Sequence, residues 1–436
     1  MNRLNLLRLG LFQLAAGATS VIFLGVVNRV MRVELGIDLF VVSVLVGGGH
    51  YLGALVAIPF GHYSDTHPLK GYRRTVYALG GAVVTALLLA VSPFVVAWLS
   101  QNQNTFGFAL GFGFFLLEGV STFIAGTAYL ALIADLTAEK NRGQASSVVW
   151  TLLMVGIIAT GITTSIVLKQ YSFSAFLTLT MIGAGTAIAL AVLALFGQEP
   201  RATVAAAPTK APPPSFGQSL RLLADSSQSR WFAGFLMLAM FSFFMYDVIL
   251  EPFGGEVFKL TVGQTAGFNS YLGVGVVLGM LLGGMGLIPR FGKSRVIGVG
   301  CSLQAGSFLL LAYASVAGQV QWLNGAITLL GFGSGLFTVG GVAMMLDMTT
   351  AKHAGLFAGT WTLVQALGKG TASIVGGRLQ TAFVSFGATT AQAYAGVFVI
   401  EALGLLLSIY FLSRVGVQIF REQVVSVGQV VSPATD

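Results

Sequence analysis

The chain has 436 residues, of which 55% are hydrophobic and 9% are charged, and its mean hydropathy is +0.85. A soluble protein of this length carries roughly a quarter of its residues as charged side chains, so the composition excludes a soluble globular protein and indicates a surface that faces lipid. The single cysteine, Cys301, excludes an internal disulfide, and the formal net charge of +8 is interpretable only once the basic residues are placed along the chain.

Apolar runs of roughly 20 residues recur from end to end, and each is long enough to cross about 30 Å of hydrocarbon as a helix. We therefore predict an all-α membrane protein of twelve transmembrane helices in two six-helix halves. Because the number is even, both termini lie on the same side. The predicted spans, in chain order, are 9–31, 39–60, 75–99, 106–134, 146–168, 173–196, 231–251, 265–288, 294–317, 321–346, 355–377 and 391–413.

A proline-rich segment near the middle of the chain, EPRATVAAAPTKAPPPSFGQSL, interrupts this pattern. Such a composition is typical of a linker between two structured units. The predicted organisation is an N-terminal six-helix half over residues 1–197, a cytoplasmic linker over 198–229, a C-terminal six-helix half over 230–414 and a cytoplasmic tail over 415–436.

The distribution of Lys and Arg predicts the orientation, because short loops rich in these residues stay on the cytoplasmic side of a membrane. When the N-terminus is taken as cytoplasmic, most of the 23 basic residues fall on the cytoplasmic side of the predicted spans. We therefore predict that both termini are cytoplasmic. The net charge then reflects topology, and no nucleic-acid partner is needed to explain it.

Two loops at equivalent places in the halves share a pattern. The loop after the fourth predicted helix is DLTAEKNRG, beginning at Asp135, and the loop after the tenth is DMTTAKHAG, beginning at Asp347. Asp, Thr, Lys and Gly match at one constant offset, which indicates an internal repeat.

The loop after the second predicted helix combines Gly61 and Asp65 with the basic pair Arg73 and Arg74. It resembles the signature of the major facilitator superfamily, whose two six-helix halves hold ligands between them near mid-membrane. The glycine allows two helices to approach closely, and the aspartate accepts hydrogen bonds from helix N-termini and arginine side chains. We predict a latch that stabilises one conformation of the halves, formed by Gly61, Asp65, Arg73, Arg74, Asp135 and Asp347.

Few ionisable residues lie deep inside the predicted helices, where such groups are costly and are therefore functional hypotheses, and the clear cases are Glu118, Lys369, Glu401 and His50. Glu118 and Lys369 either face each other across the two halves or pair locally, and Glu401 lies nearer the end of its helix. These three are the predicted intramembrane charge or coupling residues. His50 follows three glycines, which allow a flat ligand or another helix to approach the backbone.

Polar residues also follow the first and seventh predicted helices, at equivalent positions in the two halves. Arg29 and Arg32 follow the first helix, and Asp247 and Glu251 follow the seventh. We predict ion pairs between one of these arginines and one of these carboxylates, closing the non-cytoplasmic face as a structural contact.

Longer strings resemble the PucC family, also called the bacteriochlorophyll delivery family, a branch of the major facilitator superfamily. The stretch GGGHYLGALVAIPFG does not match a pattern of the family, so a role for His50 rests on its chemistry alone. The resemblance implies a protein of a photosynthetic membrane, thylakoid or intracytoplasmic, that handles chlorophyll or bacteriochlorophyll while light-harvesting or photosystem complexes are assembled. The matching strings are RLGLFQ, NRVMRVELG, SDTH with GYRR, YDVILEPFGGEVFKLTVGQT and AGLFAGTWTLVQALGKG.

The leading hypothesis is an assembly factor that binds the pigment and delivers it to light-harvesting or photosystem subunits within the lipid. The magnesium of the pigment needs one axial nitrogen or oxygen ligand, and the candidates are His50, Gln13, Asn28 or a water. The alternatives are a proton-coupled transporter of a small solute, with Glu118 as proton carrier, and a non-transporting scaffold for nascent antenna helices. The sequence contains no phosphate loop, no cluster of protein metal ligands and no nucleophile with its base, so we do not expect an enzyme.

Overall fold

A computed structural model describes residues 3–69, 71–137, 142–200, 227–347 and 354–415. Within these ranges the chain folds into twelve long helices, with no β-strand among the described residues. In chain order the helices are α1 (3–34), α2 (39–66), α3 (Thr75–Gln101), α4 (Thr105–Leu136), α5 (Arg142–Val167), α6 (Phe173–Leu195), α7 (227–258), α8 (262–291), α9 (Lys293–Ala317), α10 (Leu323–Asp347), α11 (Ala354–Ser385) and α12 (Thr390–Ser413).

These helices confirm the predicted fold class. Each predicted span falls on one of the twelve helices, and eleven helices are long and apolar enough to cross a membrane. α11 is long but less apolar, since it carries Lys369 and Arg378 together with several uncharged polar residues. The predicted linker falls largely on residues 201–226 and the predicted tail on 416–436, both outside the described ranges, so these domain boundaries remain predictions.

Polar side chains fix the starts of several helices at one end of the bundle. The Asn104 side chain caps the first turn of α4. Thr261 with Gln264 at the start of α8, and Thr389 with Gln392 at the start of α12, form reciprocal capping boxes that satisfy the free backbone N–H groups of each helix. We call this end the distal face, and the opposite end, where α1 and α3 begin, the terminal face.

Each half is held together by close helix crossings. In the N-terminal half α1 packs on α5 and α6, and α4 packs on α2 and α3; in the C-terminal half α10 packs on α8 and α9, and α12 packs on α7 and α9. A Cβ atom on Gly275 or Gly331 would overlap the backbone of the facing helix, so the α8–α10 crossing depends on both glycines. Such close contact is the main source of helix association in lipid, where the hydrophobic effect does not drive helices together.

Two helix pairs join the halves, namely α5 with α8 and α2 with α11. Between α5 and α8, Gly263 N donates to Leu168 O at 2.9 Å and Ser270 Oγ donates to Ile158 O at 2.9 Å. α7 also crosses α1 near the distal face. The arrangement brings α2, α7 and α11 together at the middle of the bundle, where the candidate site lies.

Candidate functional site

The centre of the site is formed by two neighbouring residues of α2, His50 and Tyr51. The turn before them, Ser43–Gly49, is π-helical, a wide-turn geometry that is often found at functional sites. The next turn of α2, which begins at His50, packs directly against α4, since a Cβ atom on Gly119 would overlap the backbone oxygen of His50. Glycine at position 119 therefore sets how close the two helices come, and this closeness brings the His50 ring to α4.

His50 binds a carboxylate of its own half. Its Nδ1 atom lies 2.6 Å from Glu118 Oε2, and Thr122 Oγ1 donates to Glu118 Oε1 at 3.0 Å. The Glu118 side chain is almost completely buried, with 2% of its surface exposed. An ionised carboxylate only accepts hydrogen bonds, so with Glu118 ionised and the imidazole neutral, Nδ1 carries the hydrogen and Nε2 keeps a lone pair. In the described part of the chain no residue forms a hydrogen bond to Nε2.

Tyr51 instead contacts the other half. Its hydroxyl donates to Asp247 Oδ2 of α7 at 2.6 Å. Lys369 of α11 lies over two aromatic rings, with Nζ 4.1 Å from the centroid of Phe244 and 5.9 Å from that of Tyr51. The first alternative for Glu118 and Lys369, a pair across the halves, is therefore not observed. Glu118 pairs locally with His50 of its own half, whereas Lys369 lies over the Phe244 ring of its own half and the Tyr51 ring of the other half.

The other two predicted pigment ligands do not join His50. Gln13 is buried in α1. Asn28, in the same helix and about 22 Å further along the axis at helical rise, donates from Nδ2 to Val248 O of α7 at 2.8 Å. The Asn28 side chain therefore fills the α1–α7 crossing, and its Oδ1 atom has no hydrogen-bond partner among the described residues.

The predicted ion pairs at the distal face are wrong, because the two arginines pair with carboxylates other than Asp247 and Glu251. Arg29 pairs with Glu34 of the same half at 2.5 Å and donates to Leu260 O at 2.7 Å. Arg32 forms the pair that bridges the halves, at 2.9 Å from Glu256.

The two carboxylates that were expected there are engaged elsewhere. Glu251 accepts from Asn269 at 2.5 Å, and Asp247 accepts from Tyr51. The reason is geometric: Glu251 and Asp247 lie about two and about three turns below the distal end of α7, whereas Glu256 lies in its last turn and is also held by the Tyr394 hydroxyl at 2.6 Å.

Breaking the bridge between the halves should destabilise the protein. We expect Arg32→Met to lower the free energy of unfolding by about 2 kcal/mol, less than for a fully buried pair because both side chains keep some exposure. Thermal unfolding of the detergent-solubilised protein measures the change. Exchanging the charges in the double variant Arg32→Glu with Glu256→Arg should recover part of the loss, and a double variant no better than the sum of the single variants contradicts a direct pair.

The predicted latch is only partly described. The structure does not describe the side-chain contacts of Asp65 and Asp347 or the surroundings of Gly61. The latch as a whole therefore remains a prediction. Arg74 Nε lies 3.4 Å from Asp135 Oδ2, and Arg74 also donates to Ser64 Oγ at 3.1 Å. These contacts join α2, α3 and α4 at the terminal face of the N-terminal half.

No local sequence pattern indicated Glu199, which caps the start of α3 from beyond the end of α6. Its carboxylate accepts from the backbone N–H groups of Arg73 at 2.7 Å, Arg74 at 3.1 Å and Thr75 at 2.7 Å. A carboxylate at this position satisfies free N–H groups and complements the positive end of the helix dipole.

Removing this cap should cost a modest amount of stability. We expect Glu199→Ala to lower the free energy of unfolding by about 1 kcal/mol. Thermal unfolding in detergent, with Gln198→Ala as the matched control beside it, measures the difference. Equal unfolding temperatures for Glu199→Ala and the control would show that the three hydrogen bonds contribute nothing.

Glu401, the third predicted intramembrane charge, lies apart from His50 and Glu118. Its side chain has no exposed surface, and neither carboxylate oxygen has a hydrogen-bond partner in the part of the chain that the structure describes. On α12 it lies between Phe398 and Leu405, which belong to a hydrophobic core cluster shared with α7 and α9. A pocket of about 500 Å³ lies between α8 and α10, and its lining includes Tyr271, Asn324 and Phe332. It is separate from the site described above, since neither His50 nor Tyr51 lines it.

Comparison with known sequences gives a consistent set of relatives. Residues 26–420 match the family model described as PUCC protein. The chain is 30% identical to Protein PucC of Rhodobacter capsulatus, over 93% of this chain and 91% of that protein. It is 33% identical to a protein of the same organism named bacteriochlorophyll synthase 44.5 kDa chain, over 86% of each.

Solved structures show the same fold at low sequence identity. A bacterial homologue of the human lysosomal transporter Spinster, in an inward-facing and unoccupied conformation, superposes with a TM-score of 0.68 at 13% identity over 96% of both chains. The nucleoside transporter NupG gives 0.66 at 16% identity, over 95% of this chain and 99% of that one. A D-xylose-proton symporter gives 0.65 at 14% identity, over 92% and 96%. The fold is therefore that of major facilitator transporters, as the loop signature predicted.

Proposed function

The chain belongs to the PUCC protein family, and we propose that it is a membrane-embedded assembly factor that binds a chlorophyll-type pigment and delivers it to light-harvesting or photosystem subunits. Membership places it among proteins with names such as Protein PucC and bacteriochlorophyll synthase 44.5 kDa chain. The proposal involves no covalent chemistry. The cargo would be held in a photosynthetic membrane, with both termini of the chain on the cytoplasmic side as the basic residues predict.

The observation that carries the proposal is the state of His50. A carboxylate hydrogen-bonded to one ring nitrogen fixes the orientation of a histidine and raises the basicity of the other nitrogen, an arrangement that is common behind metal-ligating histidines. Glu118 stands in this relation to Nδ1, at 2.6 Å. Nε2 would then supply the nitrogen ligand that the magnesium of a chlorophyll needs.

The surroundings of His50 favour a flat aromatic ligand over a small polar solute. The ring lies edge-on to Tyr51, with centroids 4.9 Å apart, and is tilted against Phe123 at 5.4 Å. Aromatic neighbours give a macrocycle large apolar contact area and favourable ring geometry. Of the three candidate ligands, His50 is the one we retain, because its ring nitrogen is supported by the Glu118 carboxylate, whereas the Asn28 amide is committed to the α1–α7 crossing.

The experiment that tests delivery is complementation in a photosynthetic host from which the corresponding gene has been deleted. The absorption of isolated membranes reports the amount of assembled antenna complex. The wild-type chain should restore assembly, whereas His50→Ala should not, although immunoblots show equal amounts of protein in the membrane. Full restoration by His50→Ala would remove the basis for pigment ligation at this residue, and no restoration by the wild-type chain would contradict the assembly role.

A further inference from the structure

Three hydroxyl side chains join α3 to α4 beside Glu118, and the proposed function gives them no role. We call them the hydroxyl network, formed by Thr85, Ser121 and Thr122. Thr85 Oγ1 of α3 lies 2.8 Å from Ser121 Oγ and 3.1 Å from Thr122 Oγ1, both of α4. Thr85 and Ser121 are buried, and Thr122 is half-buried. The network therefore connects a third helix to the contact between His50 of α2 and Glu118 of α4.

Sequence spacing and close packing bring these hydroxyls together. Ser121 and Thr122 follow Glu118 by three and four residues, so the three side chains share one face of α4. Gly81 lies one turn before Thr85 on α3, and a Cβ atom there would overlap the backbone oxygen of Ser121. The glycine therefore allows α3 to approach α4 closely at the level where the hydroxyls meet.

The donors of the network can be assigned from the number of hydrogens. Thr122 Oγ1 donates to Glu118 Oε1 at 3.0 Å, and Ser121 Oγ donates to the backbone oxygen of Glu118 at 2.9 Å. A hydroxyl carries one hydrogen, so both are already used, and Thr85 is the donor to Ser121 and Thr122 through one shared hydrogen. Thr85 thus keeps the hydroxyl hydrogens of α4 directed at Glu118.

The network acts on the carboxylate oxygen that His50 does not use. Glu118 Oε2 lies 2.6 Å from His50 Nδ1, whereas Oε1 accepts from Thr122. The last torsion of a glutamate side chain has a broad energy profile, so a carboxylate without a second partner turns readily. The bond to Oε1 restricts this rotation, and a buried polar network whose bonds are all formed is rigid. Oε2 is therefore held in position for Nδ1.

We propose that Thr122 and Thr85 are positioning residues, which hold the Glu118 carboxylate and thereby fix the tautomer and the orientation of the His50 ring. Thr122 does so directly, and Thr85 acts through Thr122. The use of this arrangement for pigment ligation rests on the proposed function. The positioning itself is a property of the chain without pigment, so the two ideas can fail separately.

Two chlorin probes that differ only in the metal test the effect on ligation. They are zinc pheophorbide a methyl ester and metal-free pheophorbide a methyl ester, and zinc in proteins accepts a histidine nitrogen. Absorbance titration of detergent-solubilised protein, produced in a non-photosynthetic host, gives a dissociation constant for each probe. The ratio of the two constants measures the metal–nitrogen bond, because a general change in the shape of the site weakens the binding of both probes alike.

We expect the parent to bind the zinc probe more tightly than the metal-free probe, and His50→Ala to lose this preference. Thr122→Val keeps the shape of the side chain but removes the donor to Glu118. It should lower the zinc preference about tenfold, as for other groups that support a metal-ligating histidine, and leave the affinity for the metal-free probe unchanged. Thr85→Val should cause a smaller loss in the same direction, and it provides a second variant if Thr122→Val does not fold.

Two further variants separate the hydroxyl from the side chain as a whole. Thr122→Ser keeps the hydroxyl and should keep the zinc preference. Thr127→Val changes an exposed threonine of the same helix and should bind both probes as the parent does. A zinc preference that Thr122→Val and Thr85→Val retain, although His50→Ala loses it, would overturn the proposal. Equal losses for both probes in Thr122→Val would also overturn it, since they would show a structural role only.

A second measurement needs no pigment. Nitrogen-15 NMR of protein labelled at its four histidines, at about pH 8 where histidine side chains are ordinarily neutral, distinguishes the protonated ring nitrogen from the unprotonated one. The signal that is missing from His50→Ala identifies His50. We expect the Nδ1–H tautomer alone in the parent and a mixture of tautomers in Thr122→Val.

The two measurements distinguish the failures. An unchanged His50 tautomer in Thr122→Val would overturn the positioning role, whatever the probes show. A parent without zinc preference would contradict pigment ligation at His50, and the NMR spectrum would still decide whether Thr122 positions the ring.

Discussion

The proposed function predicts that replacing His50 with alanine removes pigment from the protein. The substitution deletes the proposed ligand nitrogen while leaving the helix intact, since alanine is a strong helix former. We expect the pigment content of the gently purified protein to fall by at least about tenfold, in line with the loss of a metal ligand or its supporting group. Absorbance of the purified protein, divided by its protein concentration, measures the change.

Two matched variants show whether the effect belongs to the ligand. His67→Ala changes a histidine at the terminal end of the same helix and should leave the pigment content unchanged. Glu118→Gln keeps a hydrogen-bond acceptor for Nδ1 but removes its charge, and it should weaken pigment binding less than His50→Ala does. If His50→Ala and His67→Ala retain equal pigment, His50 is not the ligand.

Filling the α2–α4 crossing should destabilise the N-terminal half. A side chain at position 119 would overlap the His50 backbone, and neither helix can move away without losing its packing. We expect Gly119→Val to lower the free energy of unfolding by about 3 kcal/mol, the upper end of the cost of overpacking a core. Thermal unfolding in detergent and the fraction of monodisperse protein in size-exclusion chromatography measure it.

The same helix offers the control. A Cβ atom on Gly113 has open space around it, so Gly113→Val tests the effect of a β-branched residue in α4 without the clash. Its cost should stay within about 0.5 kcal/mol, since surface substitutions away from packed features have small effects. Equal losses in the two valine variants would mean that propensity and not the crossing is responsible.

The helices were predictable because each one crosses an apolar medium that dictates its length and composition. Backbone groups in lipid must be satisfied within the helix, so an apolar run of about 20 residues has one stable conformation. This is why spans such as 173–196 match the structure closely, as α6 at Phe173–Leu195. α11 was predicted despite Lys369, because polar segments on both sides still marked the ends of a span of sufficient length.

The partners within the site were less predictable, because they depend on how each helix is rotated about its axis. The cost of burial identified Glu118 and Lys369 as buried groups that need an explanation, but it did not identify their neighbours. The role of Tyr51 was missed, since a tyrosine among apolar residues has no distinctive pattern. Glu256 was passed over in favour of Asp247 and Glu251, although all three belong to α7.

Contacts between distant segments were not predictable from local patterns. Glu199 caps α3 only because the end of α6 folds back beside the start of α3, more than 120 residues earlier in the chain. A Gln-Glu-Pro sequence after an apolar helix has the composition of any polar loop. An alignment in which Glu199 varied together with the α3 start would have supplied the missing signal.

The most direct test of the central claim is an absorption spectrum of the wild-type protein, purified gently from a photosynthetic membrane. We expect chlorophyll or bacteriochlorophyll bands in stoichiometric amount with the chain, and the band positions would name the pigment. Free pigment mixed with the same detergent provides the reference spectrum. A folded, monodisperse protein that remains colourless after purification from a pigment-rich membrane, and takes up no pigment when it is added back, would contradict the claim.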